Sequence, residues 1–146
     1  MLIVPLALLA AAAVCDLRTR EIPDAISLAL LGWAVVVTAL GWSTVGWFAL
    51  LCGGSLGLAI GCLLFALGGW GGGDVKLVAA LGALLGPLGF LQAMFWIALA
   101  GGVLAVLTAV RGSRDYAYVP AIAAGVVVHL FASPWMWPAA AVAATG

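Results

Sequence analysis

The sequence predicts an all-α, polytopic membrane protein with six transmembrane helices. Three observations carry that expectation. Apolar residues make up 67% of the chain and charged residues 7%, against about 25% charged in an ordinary soluble domain. A small soluble fold buries only about two-thirds of what its unfolded chain exposes, so this much apolar surface has to meet lipid. The polar residues also fall into short islands between long apolar runs. In a bilayer such runs become helices, because every backbone group must be bonded within its own segment.

The segments follow in order: roughly Leu2 to Cys15, Ala25 to Leu40, Val45 to Leu67, Val75 to Leu85, Phe90 to Val110 and Val119 to Ala140. The first begins without a basic region, and Val14 is not the small residue expected before a lipoprotein cysteine. It is therefore expected to be a retained helix rather than a signal peptide. The first and fourth segments are short for a crossing of about 20 residues, and each abuts an acidic residue. The whole of 1–146 is expected to form one membrane-embedded domain.

Charge orients the helices. Asp16, Arg18, Arg20, Glu21 and Asp24 fall at the first junction, Asp74 and Lys76 at the third, and Arg111, Arg114 and Asp115 at the fifth. With six alternating helices these junctions share one side, which the positive-inside rule makes cytoplasmic. Both termini are then extracytoplasmic. Trp42, Trp47, Trp135 and Trp137 fall near the opposite boundary, as an interfacial belt does, and Trp70 near the charged one. The net charge of zero gives no reason to expect nucleic acid.

Some features read as packing. Gly53, Gly57 and Gly61 form a small-xxx-small stripe on the third segment, which suits a close helix neighbour within the bundle. The cysteines Cys15, Cys52 and Cys62 form no CxxC pair and read as small apolar residues. His129, the single histidine, lies roughly 15 Å along the sixth segment and is expected to be a hydrogen-bonded packing residue. No metal cluster or cofactor motif is present, so none is expected.

The chemistry is expected in two islands. In CDLRTREIPDAIS, Asp16 directly follows an apolar run, where a carboxylate is costly and seldom idle. Pro23 interrupts the helix, and Asp24 is suited to cap the next one. In GGWGGGDVKL, a glycine run leads into Asp74, and glycine permits close approach of another chain. Two carboxylates on one face suit a pair that shares one proton. One takes a proton from water while the other gives a proton to a carbonyl oxygen, and the two titrate as a unit. Asp16 at a helix C-terminus and Asp74 at a helix N-terminus sit differently in the helix dipole. On that basis Asp74 is expected to be the ionised partner.

These residues resemble a family. Asp16-Leu17-Arg18 with Ile22-Pro23-Asp24 is similar to one motif of the type IV prepilin peptidases, the A24 aspartyl proteases. Gly71-Gly72-Gly73-Asp74 with Val75-Lys76 is similar to their GxGD motif. The stretch Tyr118 to Gly125 resembles, more weakly, the opening of their last helix. The resemblance implies an aspartic endopeptidase that removes the short basic leader of pilin-like precursors at the cytoplasmic face. It makes Asp16 and Asp74 the catalytic pair, with Arg18, Pro23, Asp24, Gly71, Gly73 and Lys76 as motif support. Glu21, Asp24 and Asp115 are candidate contacts for the basic leader. The likeness is to the short, peptidase-only branch of the Flp/Tad or preflagellin type, which implies cleavage without N-methylation. A GxGD intramembrane protease with other substrates, a membrane scaffold and a transporter are the rival readings.

Overall fold

The computed structural model describes residues 3–19, 23–68, 70–110 and 119–132. These residues are helical, with no strand among them: α1 (Ile3–Thr19), α2 (Asp24–Ala39), α3 (Trp47–Ala66), α4 (Gly72–Val110) and α5 (Val119–Ala132). The all-α expectation holds. Two of the helices are long and apolar enough to cross a membrane, α3 and the 72–104 part of α4. Large apolar side chains face outward all round, among them Phe48 at 80% exposure, Leu88 at 75% and Phe95 at 65%. Water does not tolerate such a surface, and lipid does.

The expected boundaries differ in three places. The first helix does not stop at Cys15. Nothing in Asp-Leu-Arg-Thr breaks a helix, and the Thr19 hydroxyl donates back to the Cys15 carbonyl at 2.9 Å, so Asp16 stands inside α1 rather than beyond it. The glycine run was expected as a loop, yet Gly72 and Gly73 already form the first turn of α4. The fourth and fifth expected segments meet within this element, parted at the expected junction, with the second restarting at Pro87 rather than near Phe90. The element is broken only at Gly86, where φ is 69° and ψ 173°. A side chain at that φ is strained, and Pro87 restarts the helix with an N–H that has no helical duty. The sixth segment is described only as far as Ala132, so its expected end near Ala140 lies outside the described residues, as do Trp135 and Trp137.

Close backbone approach organises the bundle. The stripe on α3 turns inward against α4. A Cβ placed on Gly57 would stand 2.6 Å from the Val78 carbonyl oxygen, and one on Gly61 3.1 Å from Val75 Cα. Gly53 and Gly82 likewise exclude any Cβ from one another. The stripe is therefore consumed within the chain. Around it lies an apolar core that includes Leu30, Leu77, Leu81, Phe90, Ile97 and Ile122. His129 is buried at 1% exposure, as expected of a packing residue. It is not fully bonded, however: its Nδ1 has no hydrogen-bond partner among the described residues.

One absence of contact positions the site. Helix α4 packs on α2, α3 and α5, while α1 packs on α2 and α5. Among the described residues, α1 and α4 do not pack on each other.

Candidate active site

The two aspartates singled out in the sequence are buried polar residues near one end of the bundle. Asp16 and Asp74 are each 9% exposed, and each is held by a main-chain donor. Asp74 is the third residue of α4. Its Oδ2 accepts the Gly71 N–H at 3.0 Å, the reach-back of an acid in the first turn to the capping residue. The glycine island thus gives Asp74 a donor as well as freedom from side chains. Asp16 is bonded from much farther away. Its Oδ2 accepts the N–H of Val119, the first residue of α5, at 3.1 Å across 103 positions of sequence.

That second bond changes the dipole argument. Asp16 lies in the C-terminal part of α1, where negative charge is disfavoured, but its carboxylate meets the N-terminus of α5, where it is favoured. Asp74 meets the N-terminus of its own helix. Both acids thus sit at helix starts, and the contrast expected between them is reduced. The Asp16 charge also bears on Asp74. The helices that carry them do not pack on each other, while α2 and α5 pack on both.

The supporting residues divide. Lys76 Nζ donates to both Asp24 oxygens at 2.7 Å, which ties the start of α2 to the start of α4. Asp24 was expected to cap α2. Instead Pro23 occupies the cap, no side chain bonds there, and Asp24 turns outward to the lysine. As a leader contact Asp24 is therefore already partnered. Gly73 lies in the first turn of α4 behind Asp74, and Arg18 is exposed in the last turn of α1. Arg20, Glu21, Arg111, Arg114 and Asp115 lie outside the described residues, as does Tyr118. No group of three or more metal-ligating side chains occurs among the described residues.

A groove of about 490 Å³ opens beside the Asp24–Lys76 pair, floored by Ala79, Ala80 and Ala83 of α4 and walled by leucines of α2 and α3. It is not the reacting cavity. Lys76 is two positions from Asp74, or about 200° around the helix, so the groove lies on the other flank of α4.

The sequence reading missed Val119. A backbone amide carries no side-chain signature, and the only trace was a proline directly after it, which suits the first turn of a helix.

Comparison with known proteins places the chain in a family. The model of the type IV leader peptidase family matches residues 3–106. The chain is 33% identical over 132 residues to a prepilin leader peptidase/N-methyltransferase of Bacillus subtilis (strain 168), covering 86% of this chain and 53% of that protein. It is 35% identical over 140 residues to a protein of the same name from Burkholderia pseudomallei (strain 1026b), covering 86% and 43%. A Neisseria gonorrhoeae protein, again so named, is 30% identical over 136 residues, covering 85% and 46%. The chain spans about half the length of these curated relatives. No solved structure gives a significant match.

Proposed function

Because the chain belongs to the type IV leader peptidase family, we propose that it is a membrane aspartyl endopeptidase that removes the basic leader of pilin-like precursors. Asp16 and Asp74 are its working pair. The observation that carries this reading is the pair itself: two buried carboxylates from distant parts of the chain, each bonded to a main-chain donor. Burial without such donors is prohibitive for a carboxylate.

The chemistry follows from the shared proton. One carboxylate takes a proton from water as the water oxygen attacks the scissile carbonyl carbon, and the other gives its proton to the carbonyl oxygen. The tetrahedral gem-diol then collapses, one of its hydroxyls reforming C=O as its proton returns to the carboxylate that gave one. The C–N bond breaks, and the proton taken from water passes to the leaving nitrogen. Two carboxylates held close suit this cycle because they cannot both ionise readily.

The topology we propose has six crossings, with the pair at the cytoplasmic side of the cell membrane and both termini outside. Its support is dimensional. As one straight rod, the 33-residue apolar part of α4 would measure about 50 Å, against a hydrocarbon layer of about 30 Å. Broken at Gly86, residues 87–110 rise about 36 Å, enough for a full crossing, and residues 72–85 about 21 Å, a short crossing whose start lies below the surface of a layer of about 30 Å. The described charged side chains, Asp16, Arg18, Asp24, Asp74 and Lys76, then belong to one side. The precursor's basic leader meets the acids there, with Glu21 and Asp115 as candidate contacts and Asp24 exchanging Lys76 for a leader cation. The glycine stripe of α3 is occupied by α4, so the precursor's apolar helix rests on another face of the bundle.

The test is cleavage of a pilin-like precursor by the purified protein in lipid, read as a gel shift. Wild type is compared with Asp16→Asn and Asp74→Asn, with and without a chelator. Cleavage that is indifferent to chelator and lost in both variants is expected. Cleavage that survives either substitution removes that residue from the mechanism.

A further inference from the structure

Resting on the two-aspartate reading above, we propose that the backbone amide of Val119 is a positioning group for the reaction, fixing which oxygen of Asp16 is engaged and which is free to work. The first N–H groups of a helix have no acceptor within it, and a buried amide has to find one elsewhere. Val119 begins α5 and is fully buried. Its N–H goes to Asp16 Oδ2 at 3.1 Å. Helix α1, which carries Asp16, does not pack on α4, which carries Asp74. The helices that pack on both are α2 and α5, and this hydrogen bond is the direct link of the Asp16 carboxylate to α5.

The arrangement at the other acid is the same in kind. Asp74 Oδ2 accepts a main-chain N–H at a helix start. Among the described residues, Oδ1 of neither acid accepts a hydrogen bond. Each carboxylate thus has one oxygen anchored by backbone and one left for water or for the scissile carbonyl. A main-chain donor cannot rotate away as a hydroxyl or an amide side chain does, so the anchored oxygen stays anchored through the proton transfers.

Because the active group is an N–H, the identity of the side chain is secondary. Proline removes the N–H and is compatible with the first turn of a helix, so Val119→Pro deletes the donor with little demand on α5. Val119→Ala trims the side chain and keeps the donor. Replacing Val119 by its α-hydroxy acid, which makes residue 119 an ester, deletes the donor and keeps the side chain. A hydrogen bond to a charged group carries enough energy that its loss lowers kcat by roughly ten- to a hundredfold. Losing a donor to the charged form disfavours that form, so the pH profile of kcat moves to higher pH.

The experiment measures kcat, KM and the pH profile of precursor cleavage in lipid for Val119→Pro, the ester, Val119→Ala and Asp16→Asn. The expected result is a fall in kcat with KM little changed and a profile shifted to higher pH for proline and ester, and near wild-type behaviour for alanine. If the proline variant fails to fold, the ester decides. Wild-type kcat and pH profile in the donor-deleted protein, beside an inactive Asp16→Asn, overturn this inference and leave the aspartate pair standing. Equal damage from alanine overturns it too, because the side chain would then be the cause. An active Asp16→Asn removes the pair and this inference with it.

Discussion

Adding one methyl group at Gly57 tests how the bundle sets the place of Asp74. A Cβ there would stand 2.6 Å from the Val78 carbonyl oxygen and 3.0 Å from Ala79 Cα, where ordinary contact begins near 3.4 Å. The shortfall is about 0.8 Å, and the obstacle is backbone, which cannot rotate aside, so α3 and α4 have to separate. A gap of this size forfeits a quarter to a half of the dispersion energy of each contact across the seam, and overpacking of this kind costs about 1–3 kcal/mol. Against it stands the gain of about 0.5–1 kcal/mol when alanine replaces glycine in a helix. Gly57→Ala is therefore expected to lower stability by about 1–2 kcal/mol. Val78 is one helical turn from Asp74, so the carboxylate moves with it, and a misplacement near 1 Å costs up to about a hundredfold in rate. Thermal unfolding in lipid and precursor cleavage are the assays. Gly54→Ala is the control, because its Cβ would meet Ala83 Cβ at 3.4 Å, and it is expected to hold or gain stability. Gly57→Ala as stable and as active as Gly54→Ala would refute the reasoning.

Three other outcomes are expected. Gly86→Ala forces a side chain into φ 69° and ψ 173° while meeting Val45 only at 3.5 Å, so conformational strain of about 1–3 kcal/mol lowers the unfolding temperature without a steric clash. His129→Leu removes a buried imidazole whose Nδ1 is unbonded, and replacing such a group by an apolar one is neutral or stabilising by about 1–3 kcal/mol. Thermal unfolding reads the change, and a marked loss of stability would show that the imidazole is bonded. The Asp24–Lys76 pair has side chains 62% and 55% exposed, so a double-mutant cycle with Asp24→Asn and Lys76→Met is expected to give about 0.2–1 kcal/mol of coupling. That coupling shrinks in high salt.

Much of the site was legible because its chemistry lies in side chains. Asp16 and Asp74 stand out as acids beside apolar runs, and the glycines before Asp74 announce close backbone approach. What the sequence left hidden is carried by main chain and by pairing. The Val119 donor has no residue type to betray it. The Asp24–Lys76 pair joins two islands 52 positions apart, which periodicity does not connect. The stripe at Gly53, Gly57 and Gly61 was readable as a packing surface, but its partner was not, since any helix with a narrow face satisfies the pattern. The boundaries of α1 and α4 were misjudged for one common reason. Polar and glycine residues were taken to end a helix, whereas backbone bonding carried the helix through Thr19 at one end and started it at Gly72 at the other.

The separation of α1 from α4 bears on how this protein answers to its surroundings. The two acids ride on rods that lean on common neighbours and not on each other, so the space between them is a measure of the girth of the bundle. Anything that tilts α2 or α5, such as a thicker or thinner bilayer or a helix inserted from outside, widens or narrows that space without altering a residue near it. Second-site changes that rescue a mis-spaced pair should accordingly map to α2 and α5, the helices that pack on both acid-bearing ones.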